Sequence, residues 1–182
     1  MSKTRGSGAS RTGRMTLVLG GAASGKSEVA LRLAGRKVPK AFLATGQGLD
    51  AEMGRKIARH RATRSADWQT AEVPIELAAW VLREGGGYRT IVWDCVTLWL
   101  SNLLGAGESE VSVSARVEDV LRALRATGAR VVIVSNELGL GLVPAEPSAR
   151  AFRDLAGRVN QQIAAEADEV QLVISGLPLT VK

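Results

Sequence analysis

The chain has 182 residues, of which 46% are hydrophobic and only 4% aromatic. That length suits one α/β unit whose core is filled by Val, Leu, Ile and Ala rather than by rings. The net charge is +6, but Lys3, Arg5, Arg11 and Arg14 stand in the first fourteen residues with no acid among them, so the remainder carries only +2. A body that mildly basic does not mark a nucleic-acid-binding surface.

The single cysteine, Cys95, excludes an intrachain disulfide and a cysteine metal cage. No apolar run approaches the roughly 20 residues that span a bilayer. Residues 1–14 are rich in Gly and Ser and lack an apolar centre. They read as a solvated, disordered basic tail rather than a secretory signal, and the expected compartment is the cytoplasm. Residues 15–182 then form one domain.

In chain order, residues 15–19 (MTLVL) read as a buried strand, 26–34 as a helix and 40–45 (KAFLAT) as a second strand. Residues 50–61 are helical, with Met53 and Ile57 on one face. A short strand follows at 69–73, and Pro74 opens a helix running to about Glu84, where three glycines break it. Residues 89–94 (RTIVWD) form another buried strand. The stretch 105–110 is an exposed loop, and 111–126 an amphipathic helix stopped by Gly128. Residues 130–135 are a strand, 148–167 a long helix, 169–175 a strand, and a turn at Gly176 leads into a short final strand. Strands alternating with helices predict a mostly parallel sheet flanked by helices. Trp68, Trp80, Trp93 and Trp99 are expected in the core.

Gly20, Gly21, Ala22, Ala23, Ser24, Gly25, Lys26 and Ser27 satisfy G-x-x-x-x-G-K-S in full, between a strand and a helix. The backbone N–H groups of such a loop and the helix N-terminus attract phosphate oxygens. Lys26 is placed to reach the β- and γ-phosphates and Ser27 to ligate Mg²⁺. Asp94 ends a strand at the sheet edge where α/β proteins hold ligands, as a Mg²⁺ carboxylate or a helix cap. Loop and aspartate together indicate nucleotide binding, shared by kinases, motor ATPases, GTPase switches and recombinase-like proteins.

His60 is the sole histidine, on the helical face of Met53 and Ile57 and among Arg55, Lys56, Arg59, Arg61 and Arg64. Two readings stand. It lies at the edge of a buried face, or the neighbouring cations keep it neutral and draw a triphosphate to it, making it a nucleophile toward phosphorus.

An ordered set of short motifs spans nearly the whole chain. It comprises the phosphate loop, with Ala23 where the family usually has Arg, then Ala44-Thr45-Gly46, Asp50, Met53, Ile57, His60-Arg61, Arg64 and Glu72. It continues with Asp94-Cys95-Val96-Thr97-Leu98-Trp99, Asn102, Ser135-Asn136-Glu137, Gly139, Gly141, Phe152-Arg153-Asp154, Gly157, Asn160-Gln161 and Ser175-Gly176. In these the chain resembles the bifunctional adenosylcobinamide kinase / adenosylcobinamide-phosphate guanylyltransferase family of cobalamin biosynthesis.

The resemblance implies a recombinase-like P-loop fold, a homotrimer, Mg²⁺, and ATP and GTP as substrates. It also implies two reactions: phosphorylation of adenosylcobinamide, then transfer of GMP to adenosylcobinamide phosphate with release of pyrophosphate. By the same likeness His60 carries the GMP. Nucleotide contacts fall on residues 20–27, on Ala44, Thr45 and Gly46, on Arg61, Ala62, Thr63 and Arg64, and on Glu72 and Asp94. Glu72 is chemically apt to accept hydrogen bonds from guanine N1 and its amine, and is otherwise an ordinary surface residue. Asn136 and Glu137 are either acceptor contacts or a strand-end cap. The competing readings are a kinase without the transferase half and a nucleic-acid-dependent ATPase. The expectation is an enzyme with no nucleic-acid partner and no membrane span.

Overall fold

The apolar runs lie where both faces of a sheet are covered, which is why they are continuous rather than alternating. A computed structural model describes residues 13–48, 51, 54, 55 and 64–182. Its strands are β1 (Met15–Gly20), β2 (Lys40–Ala44), β3 (Trp68–Glu72), β4 (Thr90–Asp94), β5 (Arg130–Asn136), β6 (Glu169–Ile174) and β7 (Leu177–Thr180). They form one sheet in the order β3-β2-β4-β5-β1-β6-β7. All pairs are parallel except the closing β6–β7 hairpin. Leu17, Val18, Ile91, Val92, Trp93 and the four residues from Val131 to Val134 are wholly buried.

The helices are α1 (Lys26–Ala34), α2 (Leu77–Glu84), α3 (Val96–Gly105), α4 (Glu110–Ala126) and α5 (Pro147–Glu166), with a 3-10 turn at Gly85–Gly87. Helix α1 covers one face, packing Val29 and Ala30 on Val18, Val92 and Val132. Helices α2, α4 and α5 cover the other, where Val81, Val117 and Val159 meet Leu17, Ile91 and Ile133. Trp93 and Trp99 are fully buried there and meet edge to face, centroids 5.3 Å apart. Such a pair adds about 0.5–1.5 kcal/mol beyond its buried area. Trp68 and Trp80 are only partly buried.

Three expectations change. The helix expected to open at Pro74 begins at Leu77, because the carbonyls of Pro74 and Ile75 instead accept hydrogen bonds from Asn102 Nδ2 (2.9 Å) and Trp99 Nε1 (2.8 Å). Helix α3 has no counterpart among the expected elements, and the loop expected at 105–110 is shorter, since Gly105 ends α3 and Glu110 opens α4. Gly13 and Arg14 are not a solvated extension: Arg125 Nη1 donates to Gly13 O at 2.8 Å and Arg14 pairs with Glu169 at 3.0 Å. Residues 1–12 lie outside the described residues. So does most of the helix expected at 50–61, of which residues 51, 54 and 55 are described and helical.

Candidate functional site

The phosphate loop leaves the carboxyl end of β1 and enters α1 without a side-chain cap, so the first helical N–H groups are left to a ligand. Two residues in it have left-handed backbone, Ala23 (φ 56°) and Gly25 (φ 86°). Gly25 is the more constrained, because a Cβ there would also stand 3.1 Å from Gly176 Cα. Gly20 must be glycine for space: an added Cβ would lie 2.5 Å from Ser24 Oγ and 2.8 Å from Val173 O. The β6–β7 turn braces the loop from the side, with Gly176 N donating to Ser24 O at 2.8 Å. The backbone cradle is thus complete with Ala23 in place of a cationic side chain.

Lys26 Nζ donates to Gly21 O at 3.0 Å, folding the side chain back across the loop. Burial pushes its pKa below the usual lysine value, while Cys95 and Asp94 oppose that shift. Asp94 and Lys26 are therefore electrostatic neighbours across the loop, although they come from different elements. Burial, then the Asp94 charge, pushes the Cys95 thiol up, and its Sγ lies 3.3 Å from Thr97 Oγ1.

Register lines up the rest of the sheet edge. Ala44 stands opposite Glu72 on one side and opposite Asp94 on the other. With strands about 4.8 Å apart, Glu72 and Asp94 are roughly 10 Å from each other at the backbone, about the span between a base and its phosphates. Glu72 is exposed and Gly46 half-buried, whereas Thr45 is fully buried. Thr45 Oγ1 donates to Cys95 O at 2.7 Å and accepts from Cys95 N at 2.8 Å. Asn102 Nδ2 donates to Thr45 O at 2.8 Å. Thr45 thus holds the ends of β2 and β4 in place.

Arg64 lies over the Phe42 ring, its guanidinium carbon 3.9 Å from the centroid, on the α1 side of the sheet. His60, Arg61, Ala62 and Thr63 lie outside the described residues. At the end of β5, Asn136 Nδ2 donates to Thr97 Oγ1 at 2.6 Å and Glu137 N donates to Gly20 O at 3.1 Å, so both border the phosphate loop.

Thr97, Asn102 and Asn160 support this edge without having been assigned a role from sequence. The signal for the first two is a polar residue inside an otherwise apolar stretch, which a buried helix keeps only when its hydrogen bonds are met.

A hydroxyl at Ser27 and a carboxylate at Asp94 are hard oxygen donors that fit Mg²⁺. Among the described residues no group of three His, Cys, Asp or Glu gathers into a metal cage.

The family model described as "Cobinamide kinase / cobinamide phosphate guanyltransferase" matches residues 16–181. The chain is 42% identical to the bifunctional adenosylcobalamin biosynthesis protein CobP of Pseudomonas aeruginosa, over 91% of this chain and 96% of that one. It is 40% identical to the CobU protein of the same description from Salmonella typhimurium, over 92% and 99%. Among solved structures, a KaiC-like protein from Pyrococcus horikoshii aligns at TM-score 0.53 and 13% identity, covering 88% of this chain and 71% of that one. The RadB recombinase aligns at 0.51 and 17%, covering 89% and 74%. These two share the fold. No helix among the described residues is long and apolar enough to cross a membrane.

Proposed function

The chain belongs to the cobinamide kinase / cobinamide phosphate guanyltransferase family, and from that premise we propose that it phosphorylates adenosylcobinamide and then caps the phosphate with GMP through His60. The observation that carries the reading is the loop of residues 20–27, with Lys26 and Asp94 as electrostatic neighbours across it and Glu72 two strands along the same edge.

In the kinase step the substrate hydroxyl oxygen bonds to the γ-phosphorus of ATP or GTP. The bridging P–O bond breaks, the hydroxyl proton passes to solvent, and a nucleoside diphosphate departs. The loop amides and Lys26 hold the β- and γ-oxygens and stabilise the charge that develops on them. Ser27 and Asp94 would hold Mg²⁺, which would supply neutralisation of phosphate charge.

In the transfer step a neutral His60 nitrogen bonds to the α-phosphorus of GTP, and pyrophosphate leaves. The phosphate oxygen of the acceptor then bonds to that phosphorus, the N–P bond breaks, and adenosylcobinamide-GDP forms. Glu72 accepts from guanine N1–H and the exocyclic amine, which gives this step its preference for GTP. Arg61 and Arg64, with the backbone of Ala62 and Thr63, flank the triphosphate. We place the reaction in the cytoplasm, in one domain over residues 15–182 that assembles as a trimer.

The test is incubation with GTP labelled at the α-phosphate. Wild type forms an acid-labile, base-stable protein adduct, and His60→Ala forms none while still phosphorylating cobinamide. An unlabelled wild-type protein that phosphorylates cobinamide leaves a kinase alone. No turnover of cobinamide at all refutes the reading.

A further inference from the structure

On the sheet face opposite α1, an open groove of about 570 Å³ runs between the ends of β1 and β5 and helix α5. It adjoins the phosphate loop directly. Leu19, the residue before Gly20, forms part of its wall, and Glu137, whose N–H donates to Gly20 O, forms another.

Asn160 lines the groove and is 5% exposed. Its Nδ2 is used on Asn136 O at 3.0 Å, but its Oδ1 accepts no hydrogen bond among the described residues. A buried acceptor without a donor is uncommon in a folded protein and calls for a partner. Arg153 also lines the groove, with its side chain 20% exposed. It meets Asp154 at 3.7 Å, longer than a hydrogen bond, so its planar fork is not consumed by that contact. Gly157 lies between them one turn along, and a Cβ there would meet nothing within 4 Å, so the floor is open.

The groove therefore offers donors (Arg153, Gln161) and acceptors (Glu137, Asp154) side by side. The two carboxylates offset the charges of Arg153 and Arg158, the latter already paired with Glu110, so a bare phosphate meets no net positive site. A ligand bearing primary amides satisfies both sets, since each amide carries two N–H donors and a carbonyl acceptor. The chain after Glu137 leaves Leu140, Leu142 and Val143 exposed, at 79%, 96% and 69%. This apolar segment continues the chain from Gly139, which lines the groove.

We infer that this groove is the acceptor subsite, in which Arg153 and Gln161, with Glu137 and Asp154, read the peripheral carboxamides of the corrinoid. Leu140, Leu142 and Val143 cover the apolar face of its ring. The inference rests on the function proposed above, because cobinamide is a macrocycle with an apolar face and a rim of acetamides and propionamides. Seated here, its hydroxyl arm has a short path to the γ-phosphate over Gly20.

The experiment compares the full-length wild type with Arg153→Ala and with Gln161→Ala, the second on an exposed side chain whose loss leaves the fold intact. Each is assayed with cobinamide and with an analogue whose peripheral amides are methyl esters, and each is titrated with GTP. Losing a charged hydrogen bond raises the cobinamide KM of Arg153→Ala about tenfold or more. Nucleotide Kd stays at the wild-type value, and discrimination against the ester analogue falls in both variants. A structural defect alone would not erase that discrimination. Cobinamide KM within twofold of wild type in both variants, with ester discrimination intact, overturns the inference and leaves the proposed function standing. So does a change in oligomeric state with KM unmoved, which assigns the face to a second copy of the chain. A wild type that turns over no cobinamide overturns both.

Discussion

Thr45 and Cys95 exchange two hydrogen bonds, of 2.7 and 2.8 Å, across the carboxyl ends of β2 and β4. Cys95 follows Asp94 directly, so this exchange fixes the carboxylate that faces the phosphate loop. Cys95 O also accepts from Trp99 N at 3.2 Å, whereas among the described residues Cys95 N has no second acceptor. Thr45→Val keeps the shape and strands that N–H. The expected loss is about 1–3 kcal/mol of unfolding free energy, read from urea denaturation, with a fall in kcat as Asp94 shifts. Thr45→Ser retains most of both.

Lys26→Met separates binding from stability. Burial lowers the lysine pKa in the folded state, so between the folded value and 10.5 the unfolded chain holds more protons. The stability this group contributes is present above pH 10.5 and is lost as pH falls through the folded pKa. At pH 7 the penalty is in full force. Lys26→Met is therefore expected to melt above wild type without nucleotide, with the gap closing as pH rises toward 10.5. Phosphate binding moves the other way, and GTP raises the variant's Tm far less than that of wild type.

Glu72→Gln tests the base contact. The variant keeps the shape but replaces a charged acceptor by an amide that can present only one oxygen. GTP affinity is expected to drop about 10- to 100-fold, the worth of a charged hydrogen bond, and ATP affinity to change little. Fluorescence titration with both nucleotides decides it. Equal losses would move the carboxylate away from the base.

Asp168 ties the start of β1 to α4. Its Oδ2 accepts from Met15 N at 2.6 Å and meets Arg125 Nη1 at 2.6 Å. The Arg125 hydrogen bond, aided by Met15 N–H, holds its carboxyl below the usual aspartate value of 3.8. Stability from this group is present above pH 3.8 and is lost as pH falls through the lower, folded pKa. Asp168→Asn should melt below wild type at pH 7 and converge with it in acid. A constant gap from pH 7 to pH 2 would assign the effect to packing.

Much of the frame was legible from local pattern. The strand at Met15, the glycine loop and α1 agree with expectation because turn chemistry, helix start and apolar run all point the same way there. Helix α3 was not legible. Its sequence VTLWLSNLLG is apolar at most positions, with half of its residues buried, and so short an apolar run carries no clear period to separate it from a strand. Pro74 marked a helix start by its preference for first turns, but the Trp99 and Asn102 side chains use the carbonyls that such a turn would need. The Thr45–Cys95 exchange and the orphaned Asn160 Oδ1 depend on residues 50 and 24 positions apart in the chain meeting in space, and no local window contains both partners.

The bond from Gly176 N to Ser24 O has a consequence for how the protein is made. β1 is synthesised early, yet both strands beside it, β5 and β6, emerge from the ribosome much later. The lateral prop of its nucleotide loop, Gly176, is made only after both of those strands. A nascent chain lacks a braced nucleotide loop until the β6–β7 turn has emerged, and changes at that turn act directly on a loop made long before it.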